Sequence, residues 1–279
     1  MNDERTFSAA AKLDDLSDQQ KEEVEEQSRP NAALIHETIR AEGESELDRA
    51  PWALICSGLA AGMSIGFSLV AQGELYARLP EGPARDLITP LGYTVGFLIV
   101  IVGRQQLFTE NTLTPILALI HNRDARTLWR VVRLWGIVLV ANVAGAVLFA
   151  TGLAHGSGFD PAVMSAFAAL GRDAMHADFH VMFVHAIYAG WLIALMVWLL
   201  PAADTSRPLI IVIITYVVSV CGFSHIIAGS VDSVFLVEIH QASIKDFFVR
   251  FFEPTLLGNI VGGVALVAAL NYGQVAPEV

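Results

Sequence analysis

Two apolar stretches of this chain are too long for one membrane crossing and too short for two. The first runs over residues 91–120 and the second over residues 208–239, whereas about 20 apolar residues span the bilayer core as one helix. Polar residues interrupt each stretch near its middle, at 103–111 and at 221–225. Irregular backbone at membrane depth is tolerated only inside protein or beside a watery cavity. The pattern therefore predicts two broken helices beside a pathway through a membrane.

Four further apolar segments bring the predicted number of crossings to six. They cover residues 51–73, 131–153, 181–200 and 254–272. The pattern predicts an all-α, polytopic membrane protein with six transmembrane helices, whose channel domain covers residues 51–272. The longest connection, residues 154–180, has enough apolar positions to include a surface helix.

The N-terminal region does not share this apolar character. Residues 1–30 are polar and acidic, with too few apolar side chains to offset the entropy of ordering, so a disordered tail is expected. Asn31 is a typical N-cap residue for an amphipathic helix within residues 31–50. The expected apolar stripe consists of Leu34, Ile35, Ile39 and Leu47. We expect this helix to lie on the protein's own cytoplasmic face, the alternative being a membrane-sensing role.

A short motif indicates internal symmetry. Asn-x-x-Gly begins at Asn142 in the third crossing and at Asn259 in the sixth, 117 residues apart (259 − 142). Gly103 and Gly222, at the two interruptions, are 119 residues apart (222 − 103). Two halves of three crossings must have opposite orientations, because three is odd. The predicted inverted repeats cover about residues 51–153 and 181–272. Such repeats place a site near the midplane, where the broken helices meet.

Composition and charge support the membrane assignment. Of the 279 residues, 54% are hydrophobic and 16% are charged. The net charge of −11 arises mainly in residues 1–50, which hold 14 Asp/Glu and 6 Lys/Arg, a net of −8 (6 − 14). Arginines are more numerous in the loops that would share a side with both termini, so cytoplasmic termini are expected, including a short tail at 273–279. The sequence offers no basic patch for nucleic acid and only two cysteines, too few for a disulfide framework.

His225 and Thr109 are the polar residues at the interruptions best suited to a transported solute. A polar side chain at membrane depth is a functional candidate by default. The alternatives are a core histidine that donates to a neighbouring helix and a threonine bonded within its own helix. Leu107, Phe108 and Phe223 could form hydrophobic constrictions, or they could simply pack between helices. Asn142 and Asn259 are expected to tie the broken helix ends together more than to touch solute.

Arg104 is a charge at membrane depth and therefore requires a partner or water. Glu110 is the nearest acid in the sequence, so an internal ion pair that holds the loop is expected. Attraction of anions by Arg104 is the alternative. Together with Gln106, these residues are expected to form a constriction or gate.

No metal, cofactor or enzymatic activity is expected from the sequence. His176 and His180 have the i, i+4 spacing of a metal clamp, but no acidic partner motif accompanies them. We interpret them as part of a solvated helix face. A Gly-rich phosphate loop and a recognisable nucleophile triad are both missing from the sequence.

Three motifs in this order resemble the formate/nitrite transporter family. They are Leu107-Phe108-Thr109 with the flanking Glu110 and Asn111, Gly222-Phe223-Ser224-His225, and Gly258-Asn259-Ile260-Val261-Gly262-Gly263. The resemblance covers residues 31–272 and is stronger to a divergent bacterial inner-membrane branch of the family. It implies an aquaporin-like protomer, a homopentamer in the lipid bilayer, and small monovalent weak-acid anions such as formate, nitrite or hydrosulfide as solutes.

The same resemblance implies roles for individual residues. His225 matches the family's central pore histidine and Thr109 the loop threonine that faces it, with Asn111 and Asn259 counted along the substrate pathway. Three departures bear on the choice of solute. Where the family usually has two small residues followed by an acidic residue, this chain has Arg104, Gln105 and Gln106. Ala194 stands in place of the usual asparagine, and Asp178 in place of a lysine at the outer mouth.

Three functions remain open at this point. The preferred one is passive or proton-coupled passage of a small weak acid, with His225 as proton or hydrogen-bond donor. A channel for neutral solutes is the second, although paired Asn-Pro-Ala motifs are missing from the sequence. The third is a non-conducting or gated scaffold or sensor, in which Arg104 plugs the pore and the acidic tail recruits a partner.

Overall fold

A computed structural model describes residues 30–156, 158–268 and 273. The predictions for the acidic tail at 1–30 and the C-terminal tail at 273–279 fall almost wholly outside these described residues. Within them, all regular secondary structure is helical. The all-α fold class predicted from the apolar pattern is confirmed for this part of the chain.

The first half of the structure contains six helices. They are α1 (Ala32–Asp48), α2 (Pro51–Ser64), α3 (Phe67–Arg78), α4 (Pro83–Val102), α5 (Thr114–Asn122) and α6 (Ala125–His155). The second half contains α7 (Pro161–Met175), α8 (Phe179–Leu199), α9 (Arg207–Val220) and α10 (Ile226–Glu238). Four consecutive segments then form one helical run, here called α11: Ile244–Asp246, the π-helical Phe247–Phe252, Glu253–Ile260 and the π-helical Val261–Ala268.

Four spans are long and apolar enough to cross a membrane. They are Pro51–Arg78, Pro83–Val102, Ala125–His155 and Phe179–Ala202. The first of these joins α2 and α3 through Ile65 and Gly66, so the predicted end of this crossing at residue 73 was too early. These helices continue into polar residues that an apolar window leaves out.

Both predicted interruptions are confirmed. α4 ends at Val102 and α5 begins only at Thr114, while α9 ends at Val220 and α10 begins at Ile226. One expectation is wrong: α4 starts at Pro83, not at residue 91, and its 20 residues span about 30 Å, a full bilayer core. The first interruption is therefore not at the middle of a single crossing. The loop after α4 folds back into the interior, where Leu107, Phe108 and Thr109 are buried.

Small residues bring α2 close to α6 and α8 close to α11. A Cβ added at Gly62 would lie 2.0 Å from the backbone oxygen of Asn142. A Cβ added at Gly190 would lie 2.3 Å from the backbone oxygen of Asn259. Without a driving force from water between helices in lipid, close backbone approach of this kind stabilises their association. Each half of the structure thus has the same tight contact at its asparagine.

α1 begins at its predicted cap and packs over α5. The Asn31 side chain accepts a hydrogen bond from Leu34 N at 2.8 Å. Ile39 and Leu47 are buried, but Leu34 is exposed, so the apolar stripe is narrower than expected. The connection at 154–180 contains α7, which packs against α10 and α3 with a largely buried apolar face.

Candidate functional site

The two interruptions have the same backbone conformation. After α4, Gln105 N donates to Val100 O at 3.0 Å, and after α9, Phe223 N donates to Val218 O at 2.9 Å. The donors of these two hydrogen bonds are 118 residues apart (223 − 105), and so are their acceptors (218 − 100). The same shift relates Arg104 and Gly222, whose φ angles are 50° and 65°.

This register corrects the expected equivalence of Gly103 and Gly222. The residue that matches Gly222 is Arg104, since both lie in the left-handed region directly after the helix end. Glycine adopts this conformation without steric cost, whereas an L-residue with a Cβ does so at a cost of roughly 1–2 kcal/mol. Aligning glycines by sequence therefore placed the two halves one residue out of register.

Asn142 holds the first interruption in place. Its Nδ2 donates to Gly58 O and to Gln106 O, both at 2.8 Å, and its Oδ1 accepts from Phe108 N at 2.9 Å. The side chain lies on α6 and is fully buried. One amide thus joins α2, α6 and the loop.

Asn259 does the same at the second interruption. Its Nδ2 donates to Ala186 O at 2.8 Å and to Ser224 O at 2.9 Å, and its Oδ1 accepts from Ile226 N at 2.8 Å. Gln106 and Ser224 are again 118 residues apart (224 − 106). Backbone groups thus occupy both N–H donors and the oxygen of this buried side chain, which is the arrangement that tying the loop in place requires.

Thr109 and His225 meet where the two interruptions face each other. Thr109 Oγ1 and His225 Nε2 are 2.7 Å apart. His225 Nδ1 accepts from Ile227 N and Ala228 N, both at 3.3 Å, and so caps the start of α10. An imidazole nitrogen that accepts carries no proton, so the neutral tautomer has its proton on Nε2, and Nε2–H donates to Thr109. The threonine hydroxyl then has its own proton available for another acceptor.

The two partners face each other without being equivalent in the repeat. A shift of 118 residues pairs His225 with Leu107 (225 − 118) and Thr109 with Ile227 (109 + 118). Thr109 therefore does not occupy the position of the first interruption that is equivalent to His225. Thr109 is 0% exposed and His225 is 2% exposed, so this polar pair lies deep inside the protein.

Apolar side chains surround the pair. Leu107 and Phe108 are buried beside Thr109, and the Phe108 ring lies edge-on to Trp135 at 5.9 Å. The Phe97 ring lies edge-on to the His225 ring at 5.0 Å. Phe97 was not identified from the sequence, because an apolar residue inside an apolar helix carries no sign of the face it occupies.

Phe223 is positioned by α8. Its ring stacks on Tyr188 with centroids 5.1 Å apart and meets the His185 ring at 5.8 Å. His185 Nδ1 is 3.1 Å from Gly222 O, so the histidine also fixes the left-handed turn. His185 was missed in the sequence, although a histidine within an apolar crossing is a signal that could have found it.

The expected ion pair between Arg104 and Glu110 is wrong. The Arg104 guanidinium lies 3.4 Å from Glu42 Oε1 on α1, and its side chain is 80% exposed. The left-handed turn directs this side chain outward to α1, which sequence proximity to Glu110 could not show. Because Arg104 is exposed and Thr109 is buried, Arg104 does not plug the space beside Thr109 in this structure.

A cavity of about 1150 Å³ lies between α1, the first loop and the start of α9. Its charged lining residues are Glu42, Glu46, Arg49, Arg104, Glu110, Asp204 and Arg207. Gln105 and Gln106 also line it, and Gln106 Oε1 accepts from Asn111 Nδ2 at 3.0 Å. The cavity therefore reaches the loop that carries Thr109. Its mixed charges give the cavity a polar lining beside this loop.

The proposed solvated helix face at His176 and His180 is not a single face. His176 is the C-terminal cap of α7, and His180 lies in the first turn of α8, so the i, i+4 relation of one helix does not apply. Between them, Asp178 Oδ1 accepts from Val181 N at 3.0 Å and caps α8. Asp178 therefore has a structural role at the start of α8.

Replacing Arg104 by glycine should stabilise the protein relative to replacement by alanine. Both variants lose the exposed contact with Glu42, which contributes at most about 1 kcal/mol. Only glycine relieves the left-handed turn, so Arg104→Gly should be about 1 kcal/mol more stable than Arg104→Ala. Thermal unfolding in detergent measures the difference. Equal melting temperatures for the two variants would show that the turn is not strained.

Comparison with known proteins gives consistent matches along most of the chain. A family model described as Formate/nitrite transporter matches residues 33–273. The inner membrane protein YfdC of Escherichia coli (strain K12) is 40% identical over 91% of this chain and 82% of its own length. A probable formate transporter of Methanothermobacter thermautotrophicus is 27% identical over 73% of this chain and 80% of its own length.

Two solved structures share the fold at low sequence identity. A pentameric formate channel with formate bound superposes with a TM-score of 0.69 at 19% identity, over 81% of this chain and 98% of that chain. An FNT family ion channel superposes with a TM-score of 0.74 at 19% identity, over 86% of this chain and 98% of that chain. The architecture built from the two interruptions is thus that of known membrane channels.

Proposed function

The chain belongs to the formate/nitrite transporter family, and we propose that it passes small monovalent weak acids, such as formic and nitrous acid or their anions, through its interior. The observation that carries this proposal is the buried Thr109–His225 pair, 2.7 Å apart, between two interrupted helices. The names of relatives support the solute class: one is a probable formate transporter, and one is a formate channel with formate bound.

We propose that each protomer crosses the membrane six times in two inverted repeats, with the channel domain over residues 51–272. The common 118-residue register of the interruptions supports the repeat, as do Asn142 and Asn259, which make the same set of bonds. A homopentamer in a bacterial inner membrane is the assembly we propose, because one structural neighbour is pentameric and one relative is an inner membrane protein.

Cytoplasmic termini are part of the same proposal. Arg130 of α6 pairs with Asp48 of α1, and Arg133 donates to Leu47 O at 2.9 Å. The N-terminal helix therefore lies on the face that carries the arginine-rich start of α6. Arginine-rich loops favour the cytoplasmic side. The cavity beneath α1 would then be the cytoplasmic entrance.

The Thr109–His225 pair supports a mechanism in which the solute exchanges hydrogen bonds in an apolar passage. A bare anion in hydrocarbon is prohibitively costly, on the order of 20 kcal/mol in the idealised case. His225 Nε2–H and the Thr109 hydroxyl can both donate to an oxyanion, and Leu107, Phe108 and Phe97 exclude bulk water around them. A proton that enters together with the anion from water would remove the solute's charge during the crossing, because neutral His225 retains its own Nε2 proton. The amides at the start of α10 position the histidine as a hydrogen-bond donor through Nε2–H.

Flux through proteoliposomes tests the proposed function. Formate and nitrite gradients should drive fluxes at least about tenfold above those of empty liposomes, because the passage replaces part of the anion's hydration with hydrogen bonds. Hydrosulfide extends the test to a solute without oxygen, and glycerol is the control for a neutral-solute channel. Flux of glycerol without flux of any weak acid would contradict the proposal, as would a folded protein that passes none of these solutes.

A further inference from the structure

An apolar groove of about 420 Å³ lies between α2 and α6 and has no role in the pathway described above. None of the residues that line it has a polar side chain, and they include Ile55 and Leu59 of α2 and Gly136, Ile137, Val140 and Ala144 of α6. Val140 is 69% exposed and Ile55 is 40% exposed, so the groove opens on the outside of the protomer. Both helices belong to spans that can cross a membrane, Pro51–Arg78 and Ala125–His155. The groove therefore faces lipid or another membrane-spanning chain.

One end of the groove meets the polar start of both helices. Arg133 precedes Gly136 by about 4.5 Å along α6, and it shares a helix face with Val140, which lies nearly two turns further on. Trp129, one turn before Arg133, lies on the same face and is 67% exposed. On α2, Trp52 lies one turn before the groove and is 74% exposed. Because tryptophan is enriched where a membrane meets water, this end of the groove lies at the membrane surface.

Arg133 has no carboxylate partner in the described part of the chain. Its Nη2 donates to Leu47 O at 2.9 Å, just before α2 begins, and its Nε is buried without a hydrogen-bond partner. Two neighbouring arginines each have an acidic partner, Arg130 with Asp48 and Arg49 with Glu46. A half-buried guanidinium without a countercharge is costly at a membrane boundary. A phosphate at this end of the groove would supply the missing negative charge.

We propose that the groove binds an acyl chain of an anionic phospholipid, whose headgroup phosphate pairs with Arg133. From Gly136 to Ala144 the groove extends about 12 Å along α6, close to the hydrocarbon thickness of one leaflet, about 15 Å. The phosphate then lies at the height of Arg133 and the two tryptophans. An apolar contact with a second copy of the chain would leave the charge of Arg133 unpaired, so this charge favours the lipid. The inference requires a membrane-spanning chain and does not depend on the proposed solute.

The first test measures phospholipid bound to detergent-purified protein by native mass spectrometry, with Gly136→Leu and Gly152→Leu as a matched pair. A Cβ added at either glycine would meet no atom within 4 Å, so α6 can carry both leucines, and only Gly136 lines the groove. With added dioleoylphosphatidylglycerol, Gly136→Leu should bind about one phospholipid fewer per protomer than wild type, because leucine fills the space of the acyl chain. Gly152→Leu should bind as many as wild type.

The second test measures the part played by the headgroup charge. Dioleoylphosphatidylglycerol should raise the melting temperature of wild type at least about 3 °C more than dioleoylphosphatidylcholine, as expected for a ligand that binds the folded state. In Arg133→Gln this difference between the two lipids should disappear. Arg172→Gln removes an exposed arginine of α7, outside the groove, and should preserve the difference.

Three results would overturn the inference and leave the proposed function intact. They are equal phospholipid binding by Gly136→Leu and Gly152→Leu, equal stabilisation of wild type by the two lipids, and dissociation of the oligomer in Gly136→Leu alone. The last result would show that a second copy of the chain occupies the groove. If Gly136→Leu does not fold, Ala144→Leu fills the other end of the groove, and the same loss of bound phospholipid is expected.

Discussion

Replacing His225 by phenylalanine should reduce formate flux about 100-fold in proteoliposomes. The substitution removes the Nε2–H that donates to Thr109 and leaves an apolar ring beside Phe97. A hydrogen bond to a charged group contributes about 1.5–3 kcal/mol, and each 1.4 kcal/mol corresponds to a factor of ten. Initial rates after a formate gradient is imposed measure the loss.

His225→Asn is the matched control for this prediction. Phenylalanine also removes the Nδ1 acceptor that caps α10, a loss of about 1 kcal/mol of stability, so reduced flux alone could reflect poorer folding. Asparagine is a good N-cap but is too short to reproduce the contact with Thr109. We expect His225→Asn to retain wild-type thermal stability and still lose most of the flux. Full flux in a stable His225→Asn protein would remove the imidazole from the mechanism.

Leucine at Asn142 or at Asn259 should prevent accumulation of folded protein. Each substitution leaves one backbone N–H and one loop carbonyl buried without a partner, and a helix carbonyl loses its second hydrogen bond. Each unsatisfied group costs about 1–3 kcal/mol, so the total is comparable to the stability of a typical protein. Yield of monodisperse protein after detergent extraction, together with its melting temperature, measures the effect.

Asn111→Leu provides the comparison for these variants. Asn111 is also buried, but its side chain makes one hydrogen bond, to Gln106 Oε1. Its loss should therefore cost far less than the loss of three bonds to backbone groups. Equal yields and melting temperatures for Asn111→Leu and Asn142→Leu would contradict the assigned role of the two asparagines.

The apolar pattern was sufficient to locate both interruptions, because polar residues in a long apolar stretch are costly unless the chain turns there. The residue type of Asn31 was sufficient to place the helix cap, because its side chain accepts a hydrogen bond from Leu34 N at the start of α1. The apolar pattern placed the start of α4 too late, because the first turn of this helix, from Pro83, is polar and the apolar residues begin further along. The pattern could not show that the loop after α4 folds back, because that depends on the bonds of Asn142 to residues distant in sequence.

The candidate site was only partly predictable, because some of its contacts join residues that are distant in the sequence. His225 and Thr109 stand out as polar residues at helix breaks, and the structure places them in contact. Arg104 was assigned the wrong partner, because a left-handed turn directs it to Glu42, which is 62 positions away (104 − 42).

In the proposed mechanism, Thr109 and His225 act as one unit on the solute. The most direct measurement is formate flux through wild type, Thr109→Val, His225→Asn and the double variant, each at matched protein content. The proposed mechanism predicts that both single variants lose at least about tenfold in flux and that the double variant is no slower than His225→Asn, because the second change removes an interaction already lost. Independent losses that multiply in the double variant, or a Thr109→Val protein with wild-type flux, would contradict it.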